Sequence, residues 1–220
     1  MNRSAPAAGG VPDFGVSRLL LVGTGSVSVS DLPFWAEWLR ASYPRLEIKT
    51  VITRSAERFV SRASLAARTG GDVFTDAWPE DTAHARHVAW AEWAEAVVVH
   101  PATLHFVARL ALGLADTPAL LAAQCTAAPV AVAPALPPGG LDSAAYQAHW
   151  TALTARRNVV VAPPRSGVSA TTGRPDAWVP ALLPDVIELL ERRRAELAER
   201  AGAAAPLPPT AALLAEGSTV

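Results

Sequence analysis

The sequence contains a single cysteine, Cys125, among its 220 residues. One cysteine excludes an internal disulfide bond and a zinc site built from several thiolates. No apolar run approaches the roughly eighteen residues that a membrane-spanning helix needs. The N-terminal stretch also lacks the apolar core of a signal peptide. We therefore expect a cytoplasmic protein that does not cross a membrane.

Positive charge is scarce as well. The chain has one lysine, Lys49, and a formal net charge of −1 at pH 7. Its densest arginine group, Arg192 to Arg194, lies in a Glu/Arg-rich segment that is typical of a solvated helix face. The sequence therefore gives no sign of the basic surface that binds nucleic acid, and we expect no such partner.

Apolar residues, in contrast, are abundant: 50% of the chain is hydrophobic. This proportion and length suit one domain with a full core. The Pro/Gly/Ala-rich ends predict a flexible N-terminal segment over residues 1–15 and a Pro/Ala-rich tail over residues 202–220. A single domain is expected between them, at residues 16–201.

Within this domain, short apolar runs alternate with amphipathic segments, which predicts alternating strands and helices. The predicted strands are residues 18–24, 46–53, 72–74, 96–100, 129–133 and 158–162. The predicted helices are residues 31–43, 55–69, 118–126, 141–156 and 179–201, with others opening at His87 and after a turn at 101–103. Pro- and Gly-rich residues 134–140 and 163–176 are predicted to be irregular. The order predicts an α/β fold: a doubly wound, mostly parallel sheet with helices on both faces, in three layers.

Two of these strands end in turns that carry hydroxyl side chains. Thr24-Gly25-Ser26 follows the first strand, and Thr53-Arg54-Ser55 follows the second. In a parallel sheet such turns meet at one edge, and helices that follow them would offer free N–H groups to a phosphate. The turn at Pro101 to His105 should reach the same edge. The alternative is that these hydroxyls are ordinary helix caps.

The first turn also carries a loose dinucleotide pattern, Gly23-x-Gly25-x-x-Ser28. Its third small residue is not glycine, and no acid ends the second strand to hold a ribose. Arg54 could contact a 2′-phosphate instead, so NADP binding stays an alternative.

His87 is the most informative single residue. At a helix start, the positive end of the helix favours a neutral imidazole, which can accept a proton. The alternative is a structural histidine with no chemical role. His84 and His87 lack a carboxylate or third ligand at suitable spacing, so we expect no metal site.

Several segments resemble one family in the same order along the chain. They are ITRSAERFV (residues 52–60), His87-Val88, WAEAVVVHPATLHFVARLALGLAD (residues 93–116) and PVAVAPAL (residues 129–136). Together they resemble the homo-oligomeric flavin-containing cysteine decarboxylases, and among these the lantibiotic-type peptidyl-cysteine decarboxylases. The resemblance covers residues 18–190.

This resemblance implies a Rossmann-like flavoprotein fold that assembles as a homotrimer or a dodecamer, with FMN or FAD at the contact between subunits. It implies oxidation of a cysteine side chain to a thioaldehyde, after which carbon dioxide leaves and an enethiolate remains. The implied substrate is a ribosomally synthesised precursor peptide with a C-terminal cysteine, and the product is an aminoenethiol for aminovinyl-cysteine formation.

The resemblance also assigns residues to roles. His87 is the implied catalytic residue. The implied cofactor-binding residues are Thr24, Gly25, Ser26, Thr53, Ser55, Phe59, Pro101, Ala102, Thr103, His105 and Ala135. The implied substrate-binding residues are Leu136, Pro137, Ser169, Thr171, Thr172 and Arg174.

The chain departs from the family pattern at two single positions and in one loop. His105 and Pro137 each stand where the family has asparagine, and Pro137 offers no side-chain donor to a substrate carboxylate. The loop at residues 167–174 lacks the cysteine with which the coenzyme A enzymes reduce their product, so an enethiol product is expected. Two alternatives stay open: a flavin-binding subunit that supports a biosynthetic partner enzyme, and phosphopantothenoylcysteine decarboxylation.

Overall fold

The computed structural model describes residues 10–78 and 85–203. Its strands are β1 (Arg18–Gly23), β2 (Glu47–Ile52), β3 (Val73–Thr75), β4 (Ala96–Thr103), β5 (Val130–Ala135), β6 (Val159–Val161), β7 (Arg165–Gly167) and β8 (Ala177–Val179). Its α-helices are α1 (Leu32–Ser42), α2 (Arg62–Thr69), α3 (Arg86–Trp93), α4 (Leu104–Ala111), α5 (Pro118–Cys125), α6 (Ala144–Thr154) and α7 (Leu183–Ala203). Two 3-10 turns, Val27–Asp31 and Ala56–Arg58, follow β1 and β2.

The main sheet is parallel, with the strand order β3-β2-β1-β4-β5-β6. The chain reverses its direction of travel across the sheet between β1 and β4, and ligands of open α/β sheets bind in the crevice at this switch point. The predicted doubly wound fold is confirmed.

Alternation along each strand sends side chains to two cores. Leu19 and Leu21 of β1 pack on the face covered by α1, α2 and α7. Leu20 and Val22 pack on the opposite face, against helices α3 to α6. Because both faces are covered, β1 is apolar from Leu19 to Val22, as strands of buried parallel sheets are.

Two strands are longer than the sequence predicted. Pro101, Ala102 and Thr103, expected in a turn, belong to β4, and Pro101 lies where the register with β5 shifts between Val99 and Ala102. An irregularity of this kind accommodates a residue that has no N–H. Pro134 and Ala135 likewise belong to β5, so the prediction of an irregular segment was wrong for these two residues.

The helix predicted over residues 55–69 begins later. Ser55 opens only the short 3-10 turn, and α2 starts at Arg62, where Ser61 accepts the Ser64 N–H as its N-cap. The expected α-helix that offers free N–H groups directly after Ser55 is therefore absent. The hydroxyl itself remains at the edge of the sheet.

An antiparallel hairpin pairs β7 with β8. Strand β7 lies in the segment 163–176 that was predicted to be a loop, and Val179 of β8 was predicted to open the last helix. A Cβ at Gly167 would lie 2.4 Å from a methyl group of Val179, so glycine permits this pairing. Backbone hydrogen bonds in both directions between Leu136 and Trp178, 2.9 and 3.0 Å long, attach the hairpin to the end of β5.

The ends of the chain fall partly outside the described residues: 1–9 of the expected flexible segment and 204–220 of the expected tail. Part of the remaining N-terminal stretch packs on the domain, since the Tyr43 hydroxyl donates to the Pro12 carbonyl at 2.7 Å and Phe14 meets the Tyr43 ring edge-on. Helix α7 continues to Ala203. In the part of the chain that the structure describes, no helix combines the length and apolarity that a bilayer crossing requires.

Candidate active site

Two adjoining cavities lie at the carboxyl ends of the strands. The first, here the β3-side cavity, has a volume of about 350 Å³ and reaches from β1 and β2 to Asp76 after β3. The second, here the hairpin-side cavity, has a volume of about 730 Å³ and lies between β1, β5 and the β7–β8 hairpin. Gly25, Thr103 and His105 line both cavities. Together the cavities are of the size that proteins offer to cofactors.

The structure brings most of the residues assigned by the resemblance to these cavities. The β3-side cavity is lined by Thr24, Gly25, Thr53, Ser55, Thr103 and His105. The hairpin-side cavity adds Ser26, Phe59, Ala135, Leu136, Pro137, Ser169, Thr171 and Thr172. Four assigned residues line neither: His87, Pro101, Ala102 and Arg174.

Thr24 joins the two central strands beneath the cavities. It is buried, its hydroxyl donates to the Pro101 carbonyl at 2.8 Å, and its oxygen accepts the Thr103 N–H at 2.8 Å. Its backbone N–H also donates to the Pro101 carbonyl, at 3.2 Å. The hydroxyl proton is therefore already engaged in a hydrogen bond, and Thr24 fixes the position of the residues at the end of β4. Pro101 contributes to the site through this carbonyl.

Gly25 allows the first two turns to approach each other. A Cβ at this position would lie 2.4 Å from the Cβ of Ser55 and 3.1 Å from its backbone carbon. Only glycine fits so close an approach without displacing the neighbouring turn. The backbone of Gly25 is thereby exposed to both cavities.

The sequence left two interpretations for the hydroxyls in these turns: ordinary helix caps or phosphate ligands. Ser26, Thr53 and Thr103 each accept a backbone N–H at the start of a helical turn, from Ser28 at 3.4 Å, Ala56 at 3.3 Å and Phe106 at 3.3 Å. Ser55 makes no such cap. Ser55 and its exposed neighbour Arg54 therefore remain available to a phosphate at the mouth of the β3-side cavity.

His105 lies in the first turn of α4, beside a charged pair. Arg109 donates to the Asp116 carboxylate through Nε at 2.9 Å, and its Nη1 lies 3.5 Å from Nε2 of His105. These hydrogen bonds from Arg109 hold the pKa of Asp116 below its usual range.

Asp76 and Thr117 are site residues that the sequence reasoning missed. Asp76 is buried, and its Oδ1 accepts the Ala119 N–H at 2.9 Å, near the start of α5. Burial raises the pKa of Asp76, while the Ala119 hydrogen bond acts in the opposite direction. The signal was available: Asp76 directly follows β3, at the same edge as the turns after β1 and β2, but it fell in a segment expected to be loop.

His87 lies in the first turn of α3, as predicted, but outside both cavities of its own chain. Its ring meets the Trp78 ring edge-on at a centroid distance of 5.4 Å, and its Nδ1 is buried without a hydrogen-bond partner among the described residues. Trp78 and Val88 beside it are 46% and 43% exposed. The imidazole therefore borders an open apolar surface.

The hairpin tip is ordered by its own hydrogen bonds. The Ser169 hydroxyl accepts the Thr172 N–H at 3.2 Å, and the Ser169 N–H donates to the Arg174 carbonyl at 2.8 Å. The Arg174 guanidinium donates to Asp176 at 2.8 Å, and Arg174 does not line the cavity. Ser169, Thr171 and Thr172 thus face the hairpin-side cavity without Arg174.

The residues fit a flavin. A close glycine turn, free hydroxyl and arginine groups at the mouth, and an apolar wall of Phe59, Leu136 and Trp178 suit a molecule with a phosphate and a planar ring. No group of three His, Cys, Asp or Glu side chains within residues 10–78 and 85–203 could hold a metal ion.

Comparison with known proteins then decides the family. A family model described as Flavoprotein matches residues 13–179. The chain belongs to the flavoprotein family. It is similar to the cypemycin cysteine dehydrogenase (decarboxylating) of a Streptomyces species, with 34% identity over 174 residues that cover 79% of this chain and 90% of the relative.

Solved structures of this flavoprotein family agree. The crystal structure of the cypemycin decarboxylase CypD has a TM-score of 0.69 and 30% identity, and the match covers 84% of this chain and 98% of CypD. The FMN-dependent cysteine decarboxylase SpaF has a TM-score of 0.70 and 26% identity, covering 81% of this chain and 97% of SpaF. These similarities confirm the resemblance to flavin-containing cysteine decarboxylases, and with it the expected fold, a flavin cofactor and an enzyme of the lyase class.

Proposed function

We propose that this flavoprotein catalyses oxidative decarboxylation of the C-terminal cysteine of a ribosomally synthesised precursor peptide, giving an aminoenethiol for aminovinyl-cysteine formation. The observation that carries the proposal is the hairpin-side cavity. It joins the turns expected to hold the flavin to a hairpin that can hold a peptide end, through the shared residues Gly25, Thr103 and His105.

In this proposal the chain's own residues bind and orient. Ser55, Arg54 and the Gly25 backbone hold the cofactor's phosphate end. When bound, the flavin supplies a hydride acceptor for the cysteine side chain. Leu136, Trp178 and the hydroxyls of the hairpin tip hold the peptide end and exclude water, which keeps the reacting groups in a fixed geometry.

The carboxylate of the peptide needs a partner that Pro137 cannot provide. Ser169, Thr171 and Thr172 line the same cavity and carry hydroxyl donors. We assign the carboxylate to these hydroxyls. Decarboxylation itself asks little of the protein, because the C=S group formed by oxidation accepts the electrons that carbon dioxide leaves behind.

We further propose that the chain self-associates, as a trimer or a dodecamer of trimers, and that His87 acts in the cavity of a neighbouring copy. Its position supports this, since it lies outside its own cavities and beside the exposed Trp78 and Val88. Exposed apolar patches of this kind mark association surfaces. There His87 would hold or move the proton of the substrate thiol.

The test is mass spectrometry on synthetic peptides that end in cysteine. Incubation with the flavin-loaded protein should remove about 46 mass units, the sum of carbon dioxide and two hydrogens expected for an oxidation coupled to decarboxylation. The same peptides with C-terminal serine are the control and should be unchanged. Flavin-loaded protein that leaves every cysteine peptide intact would contradict the proposal and favour a supporting subunit of a partner enzyme, as the replacements at His105 and Pro137 suggest.

A further inference from the structure

The N-terminus of helix α5 is capped by a residue that is distant in the sequence. Its own N-cap residue, Thr117, makes no side-chain cap hydrogen bond. Instead Asp76, which follows β3, accepts the Ala119 N–H through Oδ1 at 2.9 Å. The cap needs only one of the two carboxylate oxygens, and the Thr117 hydroxyl caps no backbone N–H of α5.

The two atoms left over are buried in the same place. Asp76 Oδ2 and Thr117 Oγ1 are inaccessible to solvent, and the Thr117 hydroxyl lies beside the Asp76 carboxylate, whose pKa is raised by burial and lowered by this contact. Apart from each other, the two atoms have no hydrogen-bond partner among the described residues. Asp76 is only 5% exposed, and both residues line the β3-side cavity. Buried polar groups are normally hydrogen-bonded, so hydrogen-bonding capacity left unused by two residues that line one cavity indicates a ligand in that cavity.

The charges in this cavity indicate which part of a ligand belongs there. Arg54 and Ser55 are exposed at the mouth, whereas Asp76 is buried and Thr117 is half-buried with its hydroxyl oxygen inaccessible. Arg109 also lines the cavity but is already paired with Asp116. A phosphate is therefore attracted to the mouth of the cavity and repelled by the carboxylate at its inner end. The inner end instead suits an uncharged group that donates a hydrogen bond to this carboxylate.

We propose that Asp76 and Thr117 form a flavin-binding pair, in which Oδ2 of Asp76 accepts an uncharged N–H or O–H group of the flavin and the Thr117 hydroxyl binds the adjacent polar atom. The inference rests on the proposed flavin-dependent function and adds two residues to its binding site. Two parts of a flavin carry such groups: the imide edge of the ring and the hydroxyls of the ribityl chain.

The test measures binding of two phosphate-free flavins to the flavin-stripped protein by fluorescence quenching. Riboflavin carries ring and ribityl chain, and lumiflavin carries the ring alone. Asp76→Asn keeps an oxygen for the Ala119 N–H but removes the charge, and Thr117→Val removes the hydroxyl at nearly constant volume. Asp72→Asn, on the exposed segment before β3, is the matched control.

We expect Asp76→Asn to weaken riboflavin binding by about tenfold or more and Thr117→Val by a smaller factor, because hydrogen bonds to charged groups are the stronger ones. Asp72→Asn should bind as the wild type does. Equal losses with lumiflavin identify the ring edge as the donor, and losses confined to riboflavin identify the ribityl hydroxyls. Wild-type affinity in both variants for both flavins would overturn the inference, because it would show that neither side chain binds the flavin.

A second measurement separates binding from folding. A carboxylate beside a flavin disfavours added electrons, so Asp76→Asn should raise the midpoint potential of the bound flavin, while a purely structural cap would leave it unchanged. If Asp76→Asn does not fold, Thr117→Val carries the binding test alone. A wild-type protein that binds no flavin would contradict the proposed function itself, whereas normal binding with insensitive variants would contradict only this inference.

Discussion

The hydroxyl oxygen of Thr24 accepts the backbone N–H of Thr103 at 2.8 Å while its proton goes to the Pro101 carbonyl. The ends of β1 and β4, where Thr24 and Pro101 lie 77 residues apart in the sequence, are thereby fixed to each other beneath the cavities. The position of the turn that lines both cavities depends on this one side chain.

Thr24→Val removes the hydroxyl and keeps the side-chain volume. The Thr103 N–H then loses its partner in a buried environment, so we expect the free energy of unfolding to fall by about 1–3 kcal/mol. Urea denaturation followed by circular dichroism measures this loss. Thr24→Ser, which keeps the hydroxyl, is the control and should lose less. A Thr24→Val protein as stable as the wild type would contradict the expected role of the hydroxyl.

Gly25→Ala should damage the cofactor site more than the fold. The added Cβ would lie 2.4 Å from the Cβ of Ser55, so one of the two turns must move. We expect a stability loss of about 1–3 kcal/mol from this overlap, and loss of flavin from the purified protein. Gly10→Ala, where an added Cβ meets nothing within 4 Å, is the control. Normal flavin content in Gly25→Ala would contradict the expectation.

His100 predicts a pH dependence of stability. Complete burial lowers its pKa to about 4, from an ordinary value of about 6.5. Between these values the unfolded chain binds a proton that the folded chain does not, so the free energy of unfolding falls as the pH falls, by up to about 1.4 kcal/mol per unit. Below pH 4 this contribution is fully lost. The stabilising effect of a neutral, buried His100 is therefore present above about pH 6.5.

The measurement is urea denaturation of the wild type and His100→Gln at several pH values from 7 to 4. The difference in unfolding free energy between the two proteins should shrink or reverse as the pH falls. Nε2 of His100 lies 2.9 Å from the Ala181 carbonyl oxygen, and a glutamine amide can also donate to it. A constant difference across the range would show that His100 does not titrate in this window.

Pro137→Asn should improve binding of a peptide carboxylate. Pro137 lines the hairpin-side cavity and has no side-chain donor, while asparagine brings an amide N–H. One added hydrogen bond to a charged group should lower KM about tenfold for a peptide that ends in cysteine. The same peptide with an amidated C-terminus is the control, since it lacks the charge. An equal gain for both peptides would exclude recognition of the carboxylate.

Subunit complementation tests whether His87 acts in a neighbouring copy. His87→Ala keeps both cavities, and Gly25→Ala keeps His87 but loses the flavin turn. Each variant alone should be inactive in the assay for cysteine decarboxylation. Co-expression of the two should restore turnover, because mixed oligomers contain an intact cavity beside an intact His87. Activity in the His87→Ala protein alone, or no recovery on co-expression, would contradict the proposed arrangement.

The sheet could be predicted because its central strands are nearly uniform apolar runs. Residues such as Leu19 to Val22 are buried, and a short apolar run bounded by turn residues is typical of a parallel strand covered on both faces. The β7–β8 hairpin could not be predicted, because Arg165, Ser166 and Gly167 have weak strand preference. Their pairing depends on the contact of Gly167 with Val179 and on the Leu136–Trp178 bridge.

The site could be predicted in part for the same reason. Turns that end the apolar strands, such as Thr24 to Ser26, must lie at one edge of the sheet, and the resemblance supplied the hairpin residues. Asp76 was missed because the strand was predicted to end at Phe74, whereas β3 continues to Thr75 and Asp76 follows it directly. The distance between His87 and the cavities of its own chain follows from the packing of α3, which local sequence does not encode.

The hairpin is attached to the sheet at one end only. Trp178 and Leu136 fix its base, whereas Val168 at the tip is 63% exposed. A substrate's free chain terminus can approach from the exposed tip and stop at this fixed base. We therefore expect the hairpin to favour the last residue of a substrate, whichever amino acids precede it.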